Sequence, residues 1–424
     1  MKKIIDLYVD ITRKLYRLFE SRIVSAVFYA AFGLLFIKFT LITTMFSTDI
    51  TDGRVVNLMA YLGLGVMCMI AGVNMLQLFA GVIADDVSGT QRKESFLWFA
   101  LLTASIMVSF LCWIIGHHKE PFIMCAVVAA SYGRRIRPVL AITLVAGSAI
   151  LLAAYVASVN GYIPYLTYDM GGKVIFGHAF GMNYRTDLAA HVLYLVMAYA
   201  VLRGEKLMAW EYMMLWFDTW ITWRYSSARM NCACMAVFLI VLGIIHVFRL
   251  IKKRWPNVPA WSSAIHIVCF LATMVMLFVP SAEGLDSISS GRISLSRRGF
   301  EEYGVTAFGQ VVEENGLGGI YEAKGEYFFL DIVYIRMIII DGAAMLLIFM
   351  ILMTLASYRA AKHGEAIMAL ALVTVAVVGM IEHHGIEIWY NTYVLVSVAA
   401  LGLKTVPQEV GKTPVQKGKN ITEI

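Results

Sequence analysis

Residues 139–158 read VLAITLVAGSAILLAAYVAS and contain no charged side chain. An α-helix rises 1.5 Å per residue, so about 20 apolar residues cross the hydrocarbon core of a bilayer. The rest of the chain has the same character: 60% of its 424 residues are hydrophobic, 15% are charged, and the mean hydropathy is +0.72. This composition excludes an ordinary soluble globular protein and predicts a polytopic membrane protein.

Similar apolar stretches recur along the whole chain and predict an all-α fold with about twelve transmembrane helices. Spans one to nine fall within 25–280, and spans ten to twelve fall within 332–403. The fourth stretch, PFIMCAVVAASY, is short, which favours a tilted, distorted or re-entrant segment. The predicted spans are 25–46, 57–83, 95–116, 121–132, 139–158, 186–202, 207–223, 229–248, 261–280, 332–357, 365–381 and 388–403.

The N-terminal segment, 1–24, has a basic start but neither the apolar core nor the small-residue cleavage site of a secretory signal. Its apolar residues recur at helical spacing with Lys and Arg between them. This pattern predicts an amphipathic helix on the cytoplasmic surface of the membrane.

The distribution of basic residues predicts the orientation. Most of the 35 Lys and Arg residues lie in the terminal segments and short loops on one side of the predicted spans. By the positive-inside rule that side is cytoplasmic, so both termini, including the tail at 404–424, face the cytoplasm. The net charge of +6 therefore reflects topology and does not indicate nucleic-acid binding.

Several function classes lack their sequence signatures. The six cysteines all fall within predicted spans, where thiols act as small apolar side chains. The motifs HExxH, the P-loop and GxGxxG do not occur. The sequence therefore predicts no bound metal and no cofactor.

The orientation places one long loop, 281–331, on the extracytoplasmic side. Two stretches in it, ISLSRRGFEEYG and VTAFGQVVEENG, each predict a short helix that ends at glycine. The first stretch and the residue before it carry Arg292, Arg297 and Arg298. A loop of this length with its own helices is typically functional, although a solvated loop of balanced charge is the alternative.

Other outer segments also carry polar side chains. Arg229 opens span eight, and a segment before span six holds His178, Arg185 and Asp187. Glu382 and His384 follow span eleven. Arginine suits phosphate because its guanidinium donates two parallel hydrogen bonds and stays charged. The sequence thus predicts an outward site for a lipid-linked diphosphate, with simple binding of lipid headgroups as the alternative.

The segments HAFGMNYRTDLAAH, YSSARM and SSGRISLSRRGFEEYGVTAFGQ resemble motifs of the bacterial O-antigen and capsular polysaccharide polymerases (Wzy-type), which share a superfamily with the O-antigen ligases. DIVYIRMIIIDG and IEHHGIEIWYN are similar to later pieces of that family. The resemblance runs from about Gly161 to Asn391. Arg229 and Arg292 match family arginines, whereas Arg185 stands where the family usually has proline.

The resemblance implies a GT-C-like, metal-independent glycosyltransferase in the bacterial cytoplasmic (inner) membrane. It would join oligosaccharide units carried on undecaprenyl diphosphate into O-antigen, capsule or exopolysaccharide. Its partners would be this donor, membrane lipids, and the flippase and chain-length regulator of the same pathway. Arg229 and Arg292 would be catalytic and stabilise the leaving diphosphate. The expected substrate-binding residues are Arg185, His178, Asp187, Arg297, Arg298, Tyr334, Glu382 and His384.

Three points stay open at this level. The general base could be His178, Asp187, Glu382 or His384. A ligase that moves finished polymer to another acceptor is the alternative within the same class. A lipid-linked oligosaccharide flippase or other secondary transporter is the alternative of another class, but the sequence shows no internal repeat of the kind that such proteins usually carry.

Overall fold

The structure is a computed structural model that describes residues 2–19, 22–46, 53–84, 87–169, 176–279, 283–316, 318 and 326–401. The tail predicted at 404–424 lies outside the described residues. The α-helices are α1 Lys2–Phe19, α2 Arg22–Ile42, α3 Arg54–Ile83, α4 Gly89–Gly116, α5 Glu120–Ala130, α6 Ile136–Val159, α7 Arg185–Arg203, α8 Ala209–Ser226, α9 Arg229–Lys252, α10 Ile265–Phe278, α11 Glu283–Ile288, α12 Arg292–Tyr303, α13 Val333–Arg336, α14 Ala343–Lys362 and α15 Ala366–Val378.

Eight helices are long and apolar enough to cross a membrane: α2, α3, α4, α6, α7, α9, α10 with the turn before it, and α14. The protein is therefore a polytopic membrane protein. Of the other predicted spans, α5 has 11 residues and α15 has 13. α8 has 18 residues, but charged and aromatic side chains lower its hydropathy. The described residues thus hold eight such helices, where the sequence predicted twelve spans.

Successive helices run in opposite directions and leave loops at two ends of the bundle. At one end, here called the basic end, Tyr29 Oη donates to the backbone oxygen of Arg135 at 3.1 Å, and Arg137 donates to that of Leu202 at 3.4 Å. The opposite end, here called the loop end, holds residues 43–46, 160–169, 176–184, 283–316, 326–332 and 379–387. All predicted site residues except Tyr334 belong to the loop end or to the helix ends beside it.

The predicted amphipathic segment forms α1, which ends at Phe19 before α2 begins at Arg22. α1 packs on the last turns of α3, where Tyr8 Oη donates to the backbone oxygen of Leu76 at 3.2 Å. Val9 is buried there against Ala80 and Ala84. α1 therefore lies at the basic end, and the last described residues also reach that end.

The prediction of a twelfth transmembrane helix at 388–403 is wrong for its described part, 388–401. This segment forms turns and a 3₁₀ helix, Thr392–Ser397, and is almost entirely buried. It crosses the bundle to the basic end, where the backbone N–H of Ala400 donates to Arg134 at 2.7 Å. Irregular backbone can lie at membrane depth only when protein surrounds it. Its apolar composition therefore reflects burial within the protein.

The tenth predicted span is interrupted. α13 continues into a π-helical turn, Met337–Asp341. The helix is then interrupted at Gly342, whose φ is 90°. α14 then starts with its backbone N–H groups bound by the preceding loop: Ala343 donates to Thr306 at 2.9 Å and Ala344 to Ala307 at 3.0 Å. The loop thus supplies acceptors that the first turn of a helix otherwise lacks.

The long loop is helical only in part. The helix predicted in ISLSRRGFEEYG is confirmed as α12, which ends before Gly304. The helix predicted in VTAFGQVVEENG is wrong, because residues 305–316 form no helix and bend at 307–308. The backbone N–H of Gln310 donates to Ile340 at 3.0 Å, and Asn315 pairs with Phe328. Contacts with the bundle and with the returning chain satisfy this backbone instead of helical hydrogen bonds.

A small hairpin is a further departure from a purely α-helical fold. β1, Thr167–Asp169, pairs antiparallel with β2, Phe176–His178. The hairpin lies at the loop end just before α7. It positions His178 near the surface, beside Tyr165 and Phe180.

Candidate functional site

Arg292 is the first residue of α12, and its guanidinium contacts two carboxylates. Its Nε lies 3.2 Å from Asp331 Oδ2, and its Nη2 lies 3.2 Å from Glu382 Oε1. The Arg292 side chain is 13% exposed and that of Glu382 is 2% exposed. One cation therefore joins the start of α12 to the segment just before α13 and to the turn after α15.

Asp286 fixes the start of α12. Its Oδ1 accepts hydrogen bonds from the backbone N–H groups of Ile293 at 3.0 Å and Ser294 at 3.1 Å. Burial works against the charged carboxylate, but the hydrogen bonds from Ser294 and Ile293 lower the pKa of Asp286. A charged carboxylate at a helix N-terminus is stabilising. The position of Arg292 is thus set by a capped helix.

Two adjacent imidazoles lie beside this ion pair. The rings of His383 and His384 are 3.9 Å apart. His383 Nδ1 lies 3.7 Å from Asp331 Oδ1, and His384 Nε2 lies 3.7 Å from Asp187 Oδ1. The other ring nitrogen of His384, Nδ1, lies 3.6 Å from Glu387 Oε2. We call Asp187, Arg292, Asp331, Glu382, His383, His384 and Glu387 the polar cluster.

A stack of aromatic rings packs against the polar cluster through His384. His384 stacks on Tyr390 with ring centroids 4.1 Å apart, and Tyr390 stacks on His191 at 3.9 Å. His191 Nε2 lies within hydrogen-bond distance, 2.9 Å, of Thr43 Oγ1. The imidazole of His384 is thus held by rings from the buried crossing and from α7.

The two carboxylates that contact Arg292 differ in their pKa shifts. Burial raises the pKa of Glu382, although the Arg292 guanidinium acts in the opposite direction. Burial also works against Asp331, but His383 and Arg292 lower the pKa of this carboxyl below its ordinary value. Asp331 therefore holds its negative charge more firmly than Glu382.

The two imidazoles differ in the same way. Burial lowers the pKa of His383, and the neighbouring charge of His384 lowers it further. Burial acts on His384 as well, but the carboxylates of Glu387 and Asp187 raise its pKa. Burial opposes the charge of Glu387, yet His384 and His383 lower its pKa to about 2. His384 and Glu387 thus behave as a charged pair.

Arg185 lies at the edge of the cluster, at the first position of α7. Its Nη1 donates to the backbone oxygens of Ser227 at 2.9 Å and Ser226 at 3.3 Å. It is also close enough for its charge to lower the pKa of Glu382. Its buried Nε has no hydrogen-bond partner among the described residues. This guanidinium therefore keeps a donor available beside the cluster.

Two predicted site residues lie apart from the cluster. The side chain of Arg229 is exposed and makes no hydrogen bond or ion pair with any described residue. His178 Nδ1 is 3.1 Å from Tyr165 Oη on the hairpin side. The structure therefore brings together Asp187, Arg292, Glu382 and His384, with Arg185 beside them.

The remaining predicted substrate contacts have structural partners elsewhere. Arg297 caps the end of α10, with its Nη2 donating to the backbone oxygen of Val279 at 3.0 Å. Arg298 pairs with Glu302 at 2.6 Å on the surface. Tyr334 is buried, and its Oη donates to the backbone oxygen of Ala376 at 3.0 Å.

Asp331, His383 and Glu387 belong to the cluster, but the sequence did not single them out. Asp331 opens the stretch DIVYIRMIIIDG, and the other two flank His384 in IEHHGIE. Glu387 follows the two histidines at i,i+4 and i,i+3, which is the spacing of neighbours on one helical face. That spacing was the signal available for these two residues.

A second group of charged contacts lies near residues 305–316, the non-helical part of the loop. Arg336 Nη1 lies 2.6 Å from Glu314 Oε1, which also accepts from the backbone N–H of Leu330 at 2.9 Å. His118 Nδ1 lies 2.5 Å from Asp341 Oδ1. The Arg336–Glu314 pair holds the loop against α13, whereas the His118–Asp341 contact joins the turn before α5 to the end of the π-helical turn.

Three members of the cluster could hold a metal ion, since one ligand atom each from Glu382, His383 and His384 lies within 4.8 Å of the others. The cluster as a whole offers cations, carboxylates and imidazoles at one end of an apolar bundle. Such groups can transfer protons and bind anions or metal ions. No family model, curated protein or solved structure matches the chain.

Proposed function

We propose that the chain is a membrane glycosyltransferase that polymerises oligosaccharide units carried on undecaprenyl diphosphate, on the outer face of the bacterial cytoplasmic membrane. The proposal rests on the sequence resemblance and on one structural observation. Arg292, Asp187 and the Glu382–His384 turn come from distant parts of the sequence, yet they meet at one end of the bundle. A site that combines cations with carboxylates at a membrane face suits transfer of a sugar from a lipid diphosphate.

In this reaction a hydroxyl of the acceptor sugar attacks the anomeric carbon of the donor. A new C–O bond forms, the bond to the diphosphate oxygen breaks, and the hydroxyl proton passes to a base. We assign the base to Asp187, because its side chain is 16% exposed whereas that of Glu382 is 2% exposed. A general base must reach the hydroxyl that it deprotonates.

The leaving diphosphate requires cations, and Arg185 is the better placed of the two arginines. Arg292 already contacts two carboxylates. Arg185 donates to backbone oxygens and forms no ion pair with any described residue, so its charge is available to a phosphate. We therefore assign diphosphate binding to Arg185 and assign to Arg292 the positioning of Glu382 and Asp331.

Surface polysaccharide from a strain that lacks this gene tests the proposal. We expect chains to collapse to single repeat units, and wild-type protein to restore polymer. Arg185→Lys keeps one charge but loses the bidentate fork, so we expect polymer formation to fall by about 10²–10³. Arg298→Lys is the matched control and should restore wild-type polymer, with the membrane level of each variant measured beside it.

Other outcomes point to the alternatives. Full-length polymer that accumulates without reaching its acceptor would favour a ligase. Repeat units that stay on the cytoplasmic face would favour a flippase, since buried ionisable groups are also found in transporters. Normal polymer in the deletion strain would contradict the proposal.

A further inference from the structure

Glu382, His383 and His384 occupy one tight turn between α15 and the buried crossing. Their ligand atoms lie within 4.8 Å of one another. Glu382 and His384 are each 2% exposed, and His383 is 16% exposed. The three side chains thus converge in a space that is shielded from the surrounding solvent and lipid.

Several potential ligand atoms in this space make no hydrogen bond. Glu382 Oε2, His383 Nδ1 and both ring nitrogens of His384 are buried and have no hydrogen bond to any described residue. Buried polar atoms are otherwise almost always satisfied by protein, water or an ion. Glu382 uses its other oxygen, Oε1, for Arg292, so Oε2 is the oxygen that is available to a ligand.

The surrounding charges favour a cation over an anion. Asp187 and Glu387 lie 3.7 Å and 3.6 Å from opposite ring nitrogens of His384, and Asp331 lies 3.7 Å from His383. Carboxylates in such positions accept the second ring N–H of a metal-binding imidazole and fix its orientation.

Two of the nearby arginines, Arg292 and Arg336, are already paired with carboxylates. Arg292 is shared between two carboxylates. Arg336 is paired with Glu314 at 2.6 Å, and its guanidinium lies over the ring of Phe329, which in turn contacts His383. The carboxylates around the two imidazoles therefore exceed the cations that contact them.

We propose that Glu382, His383 and His384 bind a divalent transition-metal ion, with Zn²⁺ as the representative case. Two imidazoles and one carboxylate form a ligand set that Zn²⁺ takes readily, whereas Mg²⁺ prefers oxygen ligands alone. Zn–N bonds of about 2.0–2.1 Å require donor atoms roughly 3.4 Å apart, which side-chain rotation within this turn can supply. Asp187 or Glu387 completes the coordination, or water does.

The sequence predicted no bound metal, whereas the proposed site binds one. Metal motifs on helices place their histidines at i,i+4, whereas here the two histidines are adjacent and are brought together by a 3₁₀ turn. The inference also does not depend on the proposed sugar transfer, because it concerns binding alone.

The test uses the full chain, purified in detergent without a polyhistidine tag and stripped with chelator. Zn²⁺ is added, excess metal is removed, and the bound metal is measured by plasma mass spectrometry with affinity from titration calorimetry. We expect about one Zn²⁺ per chain and no retained Mg²⁺ under the same conditions. No retained Zn²⁺, or equal retention of Mg²⁺, would overturn the proposal.

Variants localise the ion. Glu382→Gln and His383→Gln should each weaken Zn²⁺ binding at least tenfold. His178→Gln removes an imidazole at the same end of the bundle but outside the trio, and it should bind as the wild type does. Size-exclusion profiles show whether each variant is folded. If Glu382→Gln disrupts folding, the absorption bands of Co²⁺ in the wild type and in His383→Gln decide, since bands typical of nitrogen ligation should be lost only in the variant. Unchanged binding in both trio variants, or unchanged Co²⁺ bands, would contradict the proposed site.

Discussion

Arg292 shows how much one residue can depend on its neighbours. It lies against Glu382 and Asp331 in a region where water reaches only 13% of its own side chain and 2% of that of Glu382. These three charges lose hydration on burial, and their mutual attraction has to offset that cost. Removing the arginine leaves the other two without compensation.

Arg292→Met should therefore lower the free energy of unfolding by about 3 kcal/mol, because it strands a buried carboxylate. Adding Glu382→Gln to this variant should recover part of the loss. Arg298→Met is the matched control: Arg298 is 34% exposed in its pair with Glu302, so its loss should stay below about 1 kcal/mol. Thermal unfolding in detergent measures all four proteins. Equal losses at the two arginines, or no recovery in the double variant, would contradict this account of the pair.

At this scale the sequence predicted participants but not their partners. Arg292, Glu382 and His384 were recognisable as polar residues in outer segments. Their meeting is set by the end points of helices that are nearly 90 residues apart in the chain, which no local pattern encodes. Arg229 also lies in a predicted outer segment and also matches a family arginine, yet its exposed side chain contacts no carboxylate among the described residues. The difference arises only from tertiary packing.

Among the elements, the junction between α13 and α14 is the most constrained. At Gly342 a Cβ would lie 2.3 Å from the backbone nitrogen of Gly309 and 2.6 Å from the backbone oxygen of Ala307. Neither is a flexible side chain that could move aside. The left-handed backbone at this position also favours glycine.

Gly342→Ala should therefore destabilise the protein by about 2–3 kcal/mol, since it adds a backbone clash to the strain of a left-handed alanine. Gly364→Ala is the control, because Gly364 also has a left-handed φ, 67°, but no atom lies within 4 Å of its would-be Cβ. Strain alone should cost about 1 kcal/mol there. The apparent melting temperatures in detergent provide the comparison. A smaller loss at Gly342 than at Gly364 would show that the loop yields easily.

Hydropathy predicted the long helices well because length and apolarity are the requirement for spanning a bilayer. It failed for 388–401, because a segment buried in protein and a segment buried in lipid have the same composition. It also missed the break at Gly342, since the apolar run continues through it. The non-helical conformation of 305–316 depends on hydrogen bonds to Ile340 and Phe328, which lie further along the chain and are not part of the local sequence pattern.

For the whole molecule, the two ends differ in charge and in loop length. The arginines and lysines of the short loops gather at the basic end, and the polar cluster lies at the loop end. From the positive-inside rule we expect the loop end to lie on the extracytoplasmic side.

Cysteines introduced at Ser290 and Lys362, which are exposed at opposite ends, test this orientation. In intact cells an impermeant thiol reagent should label Ser290→Cys and leave Lys362→Cys unlabelled until the membrane is opened. The native protein sets the background, since five of its six cysteines are buried. The reverse pattern would turn the molecule over and place the polar cluster in the cytoplasm.

The irregular crossing at 388–401 also bears on biosynthesis. It contacts α2 through the stacking of Trp389 on Phe39, 4.5 Å apart, and α14 through Arg359, which donates to the backbone oxygen of Val396 at 3.0 Å. The ribosome makes both helices before it makes the crossing. A segment without continuous helical hydrogen bonds is not stable in lipid before its neighbouring helices surround it. The crossing must therefore enter a cleft that the earlier helices have already formed, so these helices assemble before the crossing takes its place.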